Sequence, residues 1–142
     1  MEPPRDAEQR RNTDNNPLDR AELDRITQLI IGCAYEVHRT LKHGFLEKVY
    51  ETALTYEIKK AGLQVQRQHE IKVKYKDIVA GEYTSDLLVE SCVLVELKAV
   101  DGLNQIHMAQ CLNYLKASGI NVCLLLNFGK SRLEIKRVVH RF

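Results

Sequence analysis

The spacing of apolar residues changes once along this chain, near residue 64, and that change most restricts the fold. Before it, apolar residues recur every three or four positions, which is typical of one face of a helix. From Gln64 to Tyr75 they alternate with polar residues, which predicts a half-buried strand. Two helices, several strands and a later helix between strands favour an α/β fold with one mixed sheet of about five strands.

The same patterns predict eight elements in the order α-α-β-β-β-α-β-β. Helices are predicted over about 21–41, 46–61 and 103–117, and a glycine follows each of them. Strands are predicted over about 64–75, 81–89, 92–99, 122–126 and 133–139. The run from Val122 to Leu126 is continuously apolar, which indicates a strand that is buried on both faces.

The first 18 residues differ in composition from the rest of the chain. They are polar and contain all three prolines, so we predict a disordered tail over 1–18 and a single domain over 19–142. The whole chain has a net charge of only +2, which excludes a strongly basic protein. Residues 26–142 carry 16 basic and 12 acidic side chains, and this local excess of positive charge permits a phosphate ligand.

The four cysteines, Cys33, Cys92, Cys111 and Cys123, lie inside apolar runs and form no C-x-x-C pair. We interpret them as buried free thiols rather than zinc ligands, which fits a reducing, cytoplasmic location. The chain contains no apolar run of the roughly 20 residues that a membrane helix needs, so no membrane association is expected.

Charged side chains interrupt two neighbouring apolar strands. Asp86 begins the run that leads to Val89, and Glu96 and Lys98 close the next strand. Alternation along a strand places Glu96 and Lys98 on the same face. Burying such a pair is costly unless it serves a purpose, although a surface Glu–Lys pair is an alternative reading.

The loop between these strands decides whether the two carboxylates meet. A two-residue turn at Glu90 and Ser91 would put Asp86 on the face away from Glu96, whereas a three-residue loop centred on Ser91 would put the two directly opposite each other. We predict the odd-numbered loop or a bulge. Two adjacent carboxylates repel unless a cation lies between them, and Mg²⁺ commonly takes one or two carboxylates together with waters and phosphate oxygens.

Three sequence motifs, which begin at Gly44, Asp86 and Gln110, resemble motifs of known nucleases. The set Asp86…Glu96-Leu97-Lys98 resembles the D…(D/E)-x-K signature of the PD-(D/E)xK nuclease superfamily. The upstream run from Gly44 to Tyr50 reads G-x-x-E-x-x-Y and resembles the GxxExxY proteins, a branch of that superfamily. The run from Gln110 to Tyr114 is similar to the Q-x-x-x-Y motif of recombination-type nucleases. The resemblance covers about residues 24–140.

The resemblance implies a restriction-endonuclease-like core and a metal-dependent nuclease that hydrolyses phosphodiester bonds in DNA or RNA. It implies that Mg²⁺ or Mn²⁺ is held by Glu47, Asp86 and Glu96, with Lys98 assisting the attacking water. Residues assigned to substrate support are Gln110, Tyr114 and Tyr50. The implied partner is nucleic acid, with DNA favoured over RNA, and a homodimer or a partner protein is expected to supply specificity.

Several residues keep a structural alternative. His38 and Tyr50 belong either to the site or to the core with their polar atoms hydrogen bonded. Lys72, Lys74 and Lys76 either protect an edge strand or contact phosphates. For the whole protein, the alternatives are a non-catalytic module that binds nucleic acid or protein on the same fold, and a small structural subunit.

Overall fold

A computed structural model of the protein describes residues 19–142, so the predicted tail over 1–18 lies outside the described residues. The helices are α1 (Arg20–Leu41), α2 (Glu47–Lys60) and α3 (Gln105–Ser118). The strands are β1 (Val65–Tyr75), β2 (Ile78–Val89), β3 (Val93–Lys98), β4 (Val122–Asn127) and β5 (Glu134–Val139). The predicted element order and the mixed α/β sheet are confirmed.

Most helix and strand boundaries lie close to those predicted, and the first residues of β2 and β5 differ from the prediction. Strand β2 begins at Ile78 because a tight turn at Lys76 and Asp77 continues directly into it. Strand β5 begins at Glu134, so Arg132 and Leu133 belong to the loop before it.

The five strands form one sheet in sequence order, β1-β2-β3-β4-β5. Three neighbouring pairs are antiparallel, and only β3 and β4 run parallel, with α3 as the crossover between them. Lys98 pairs with Asn127 at the end of the parallel pair. Strand β4 is buried along its whole length, as its continuous apolar run predicts.

Apolar side chains of the central strands divide between two cores. Helices α1 and α2 cover one face of the sheet, where they bury Leu87, Val95 and Leu97. Helix α3 covers the other face, where it buries Leu88 and Leu94. The alternation predicted for β3 is therefore confirmed, and it leaves Glu96 and Lys98 on the α3 side.

Helix α2 is rotated relative to the prediction. The apolar spacing of this helix predicts that Leu46 and Val49 lie with Tyr50 in its buried stripe. Leu46 and Val49 are 79% and 39% exposed, so the prediction is wrong for these two, whereas Tyr50 is buried. The buried ring of Tyr50 stacks on Phe128 with centroids 4.8 Å apart. The buried face of the helix also includes Glu51.

The thiols of Cys33, Cys111 and Cys123 are free and buried, as predicted, whereas Cys92 is only half-buried. Along residues 19–142, each helix is either too short or too polar to cross a membrane.

Candidate active site

The loop between β2 and β3 has three residues, Glu90 to Cys92, so the predicted odd loop is confirmed. Leu87 pairs with Val95 across the hairpin, and continuing this register places Asp86 directly opposite Glu96. The two carboxyl groups therefore lie side by side on the face that α3 covers.

Both carboxyl groups are fixed by backbone hydrogen bonds. The backbone N–H of Asp86 donates to Oε1 of Glu96 at 2.8 Å, and the N–H of Leu97 donates to Oδ2 of Asp86 at 2.8 Å. The pairing of β2 with β3 ends at Leu87 and Val95, and the two carboxyl groups accept these N–H groups where the ladder stops. Their positions are therefore set by the sheet itself.

Burial changes the acidity of this pair. The side chain of Glu96 is only 4% exposed, and burial together with the neighbouring Asp86 carboxylate raises the pKa of Glu96 to about 9. Burial also raises the pKa of Asp86, and the Glu51 carboxylate adds to that rise. Two adjacent carboxyl groups that resist ionisation in this way gain most from a cation placed between them.

The donor set suits a hard divalent ion. The remaining oxygen of each carboxyl accepts no backbone hydrogen bond within residues 19–142. In the described part of the chain, no group of three or more His, Cys, Asp or Glu side chains could hold a metal. The oxygens of Asp86 and Glu96 are the donor type that Mg²⁺ prefers, and Mg²⁺ usually completes its shell with waters and phosphate oxygens.

Lys98 and two residues of α3 border the pair. The Lys98 ammonium lies 3.5 Å from Oε1 of Gln110 and interacts electrostatically with Asp86 and Glu96. Tyr114 is buried, its ring lies 5.4 Å from that of Tyr83, and burial followed by the charges of Glu96 and Asp86 raises its pKa. The fold thus brings Gln110 and Tyr114 to the face that carries the acidic pair.

Two residues of the G-x-x-E-x-x-Y motif lie elsewhere. Glu47 is exposed at the first turn of α2, where it makes no hydrogen bond or ion pair with the described residues. The Tyr50 side chain is fully buried. Its hydroxyl donates to the Lys42 carbonyl at 2.6 Å and accepts from the Phe45 N–H at 3.1 Å. This placement matches the structural alternative for Tyr50, which holds the turn before α2.

Glu51 is the acidic residue that sequence reasoning missed. It is 4% exposed and accepts hydrogen bonds from Arg67 and Gln68, each at 3.0 Å. Gln68 has a left-handed backbone (φ 54°), an uncommon conformation for a residue with a side chain, at the point of β1 that faces Asp86. A carboxylate among the buried positions of an amphipathic helix was the signal that could have identified Glu51.

A family model described as PD-(D/E)XK nuclease superfamily matches residues 24–138. The chain belongs to the PD-(D/E)XK nuclease superfamily. Searches of curated proteins and of solved structures returned no match. The GxxExxY branch of the superfamily stays a prediction, because the matched family model covers the superfamily level only.

Superfamily membership supports a nuclease function and therefore a nucleic-acid substrate. PD-(D/E)XK nucleases generally use divalent metal ions, which agrees with the oxygen donors of Asp86 and Glu96. The geometry at the end of β2 and β3 is thus the candidate active site.

Proposed function

We propose that the protein is a metal-dependent nuclease that hydrolyses phosphodiester bonds, with DNA rather than RNA as the substrate. The observation that carries the proposal is the meeting of Asp86 and Glu96, with Lys98 on the same face. In this proposal Asp86 and Glu96 hold Mg²⁺ or Mn²⁺. When bound, the ion would supply Lewis-acid stabilisation of charge on the phosphate.

The chain's own residues have separate tasks in this proposal. Lys98 donates hydrogen bonds to the attacking water or a phosphate oxygen and offsets the negative charge that develops there. Gln110 keeps the Lys98 side chain over the site through the contact between their polar atoms. The Tyr114 hydroxyl is protonated at neutral pH, since its pKa is raised from an ordinary value that is already well above 7, and it can donate a hydrogen bond.

Helix α2 offers two candidates, Glu47 and Glu51, for a third acidic residue of the site, and they differ in burial. Glu51 is buried and close enough to influence the pKa of Asp86, whereas exposed Glu47 does not influence that pKa. We therefore assign the supporting acidic role to Glu51, which holds Gln68 opposite Asp86. Glu47 remains a metal ligand only if α2 shifts when an ion binds.

A titration with Mg²⁺ and with Mn²⁺ tests the proposal on labelled single- and double-stranded DNA and RNA. Wild-type protein is expected to cleave only with metal, and Asp86→Asn and Lys98→Ala are expected to lower kcat by about 10²–10³-fold. Glu82→Gln and Lys60→Ala are matched controls, because both residues are exposed and neither is assigned to the site. Absence of cleavage on all four substrates would overturn the proposal.

One observation favours the non-catalytic alternative. Each carboxyl of the pair satisfies a backbone N–H at the end of the β2–β3 ladder, which is a structural task in itself. A non-catalytic module would bind nucleic acid or a protein without cleavage, and Asp86→Asn would then alter stability alone. Size-exclusion chromatography of the same samples tests whether the protein forms the homodimer that is proposed to supply specificity.

A further inference from the structure

A groove of about 450 Å³ lies between α1 and the loop that leads into β5. It is lined by Tyr35, His38, Arg39, Arg132 and Leu133. Helix α1 covers the opposite face of the sheet from α3, so this groove is separate from the acidic pair. Nothing in the proposed cleavage chemistry uses these residues.

The groove combines a flat aromatic ring with two guanidinium groups. Tyr35 is 53% exposed, and Arg39 follows it by one helical turn. Arg132 is exposed and forms no ion pair with any residue in 19–142. Arginine forks bind phosphate in a bidentate manner, and exposed aromatic rings stack on unpaired bases.

We propose that this groove binds a single-stranded segment of nucleic acid, with phosphates on Arg39 and Arg132 and a base on Tyr35. The inference rests on the proposed function, because the bound segment is part of the nuclease substrate. A base inside a duplex could not stack on the ring, so the aromatic wall favours a single strand.

The acidic groups near the groove do not cancel its positive charge. Arg39 forms an ion pair with Glu36, one turn earlier on α1, and both side chains are exposed. Lys130 lies 4.0 Å from Glu134, which also accepts hydrogen bonds from Asn127 and Leu103. An exposed pair such as Arg39–Glu36 is weak, so a phosphate can replace its carboxylate.

Contacts with α1, α2 and the residues after β3 hold the loop that contains Arg132 in place. His38 donates through Nε2 to the Lys130 carbonyl at 2.8 Å, and the Phe128 ring stacks on Tyr50. Gly129 lies so close to Val100 that a Cβ atom would come within 2.4 Å of the Val100 nitrogen. A groove that is already rigid loses little conformational entropy when it binds a ligand.

The groove lies at the end of the sheet that carries Lys98. Strands β3 and β4 are parallel, Lys98 pairs with Asn127, and the next N–H, that of Phe128, donates to the Lys98 carbonyl at 2.8 Å. The loop to Arg132 therefore leaves the sheet beside Lys98. A single strand of nucleic acid bound in the groove would have to continue around this end of the sheet to reach the acidic pair on the other face.

Fluorescence anisotropy in EDTA tests binding apart from cleavage, with a labelled single-stranded oligonucleotide and the matching duplex as probes. We expect Arg132→Ala and Arg39→Ala to weaken single-strand binding about tenfold. Each should also reduce the salt slope by about 0.7 for every phosphate that the variant no longer neutralises. Tyr35→Ala should weaken binding about five- to 100-fold, and Tyr35→Phe should preserve it.

Arg25→Ala is the matched control. Arg25 forms an ion pair with Glu22 three positions earlier on α1, as Arg39 does with Glu36, but it does not line the groove. Groove variants that bind as well as wild type, or as well as Arg25→Ala, would overturn the inference while leaving cleavage intact. Tighter binding of the duplex than of the single strand would also overturn it. Failure of the proposed function would give a different result from these two outcomes. The wild type would still bind the single strand in the groove but would cleave it with neither Mg²⁺ nor Mn²⁺.

Discussion

The acidic pair and the arginine groove lie at the same end of the sheet but on opposite faces, and their surroundings differ. Glu96 is 4% exposed and fixed by a backbone N–H, whereas Arg39 is exposed and held by a single surface ion pair. Burial strengthens electrostatic effects, and solvent screens them. The acidic pair therefore suits chemistry, and the groove suits reversible binding of a charged ligand.

The largest expected effect separates chemistry from binding. Glu96→Gln removes a carboxylate oxygen from the pair and should lower kcat by about 10²–10³-fold with little change in KM. Arg132→Ala should raise KM several-fold and leave kcat within about twofold. Steady-state kinetics with saturating metal measures both, and an equal fall in kcat for the two variants would break the comparison.

Glu51 and Glu47 provide a second contrast, within one helix. Glu51→Ala leaves Arg67 and Gln68 without their buried acceptor and should lower the free energy of unfolding by about 1–3 kcal/mol. Glu47→Ala, at an exposed position, should change it by less than about 0.5 kcal/mol. Urea titrations followed by circular dichroism compare the two, and equal losses would contradict the burial of Glu51.

Gly129 tests whether the groove depends on its rigid loop. A Cβ atom there would overlap the backbone of Val100. Gly129→Ala should therefore lower the free energy of unfolding by about 1–3 kcal/mol and also weaken single-strand binding. Gly102→Ala is the control, since no atom lies within 4 Å of its added Cβ. Thermal unfolding and anisotropy measure the two effects, and unchanged binding in a destabilised Gly129→Ala protein would separate the loop from the groove.

The raised pKa of Glu96 gives a pH dependence of stability in metal-free protein. The unfolded carboxyl releases its proton near pH 4.5, whereas the folded one keeps it to about pH 9. The unfolded state therefore binds fewer protons in this window, and stability falls as pH rises through it. Glu96→Gln should flatten this decline when melting temperatures are compared at pH 5 and pH 8 in EDTA. Parallel curves for the two proteins would contradict the shift.

The smallest expected effect concerns the two similar ion pairs of α1. Arg25→Ala and Arg39→Ala each break an exposed i,i+3 pair and should each cost less than about 1 kcal/mol of stability. Only Arg39→Ala should also lower affinity for single-stranded nucleic acid. Chemical denaturation of both variants makes the comparison, and a much larger cost for Arg39→Ala would indicate a structural role instead.

Local sequence patterns were sufficient for much of the site. Alternation placed Glu96 and Lys98 on one face, because it depends on neighbours only a few residues apart. Loop parity left two arrangements of Asp86 and Glu96, and the structure confirms the predicted odd loop. The roles of these residues in catalysis stay predictions until the variants are measured. Glu51 escaped the sequence patterns because its importance comes from Arg67 and Gln68, which lie on a different element.

The sequence by itself determined the order of helices and strands, the alternation along β3 and the superfamily motifs. Only the tertiary structure decided that the buried face of α2 includes Glu51 and leaves Glu47 in solvent. It also brought Arg132 beside Tyr35 and Arg39. The physical reason is that periodicity defines one face of a helix, whereas contacts between distant residues, such as Tyr50 on Phe128, select what that face meets.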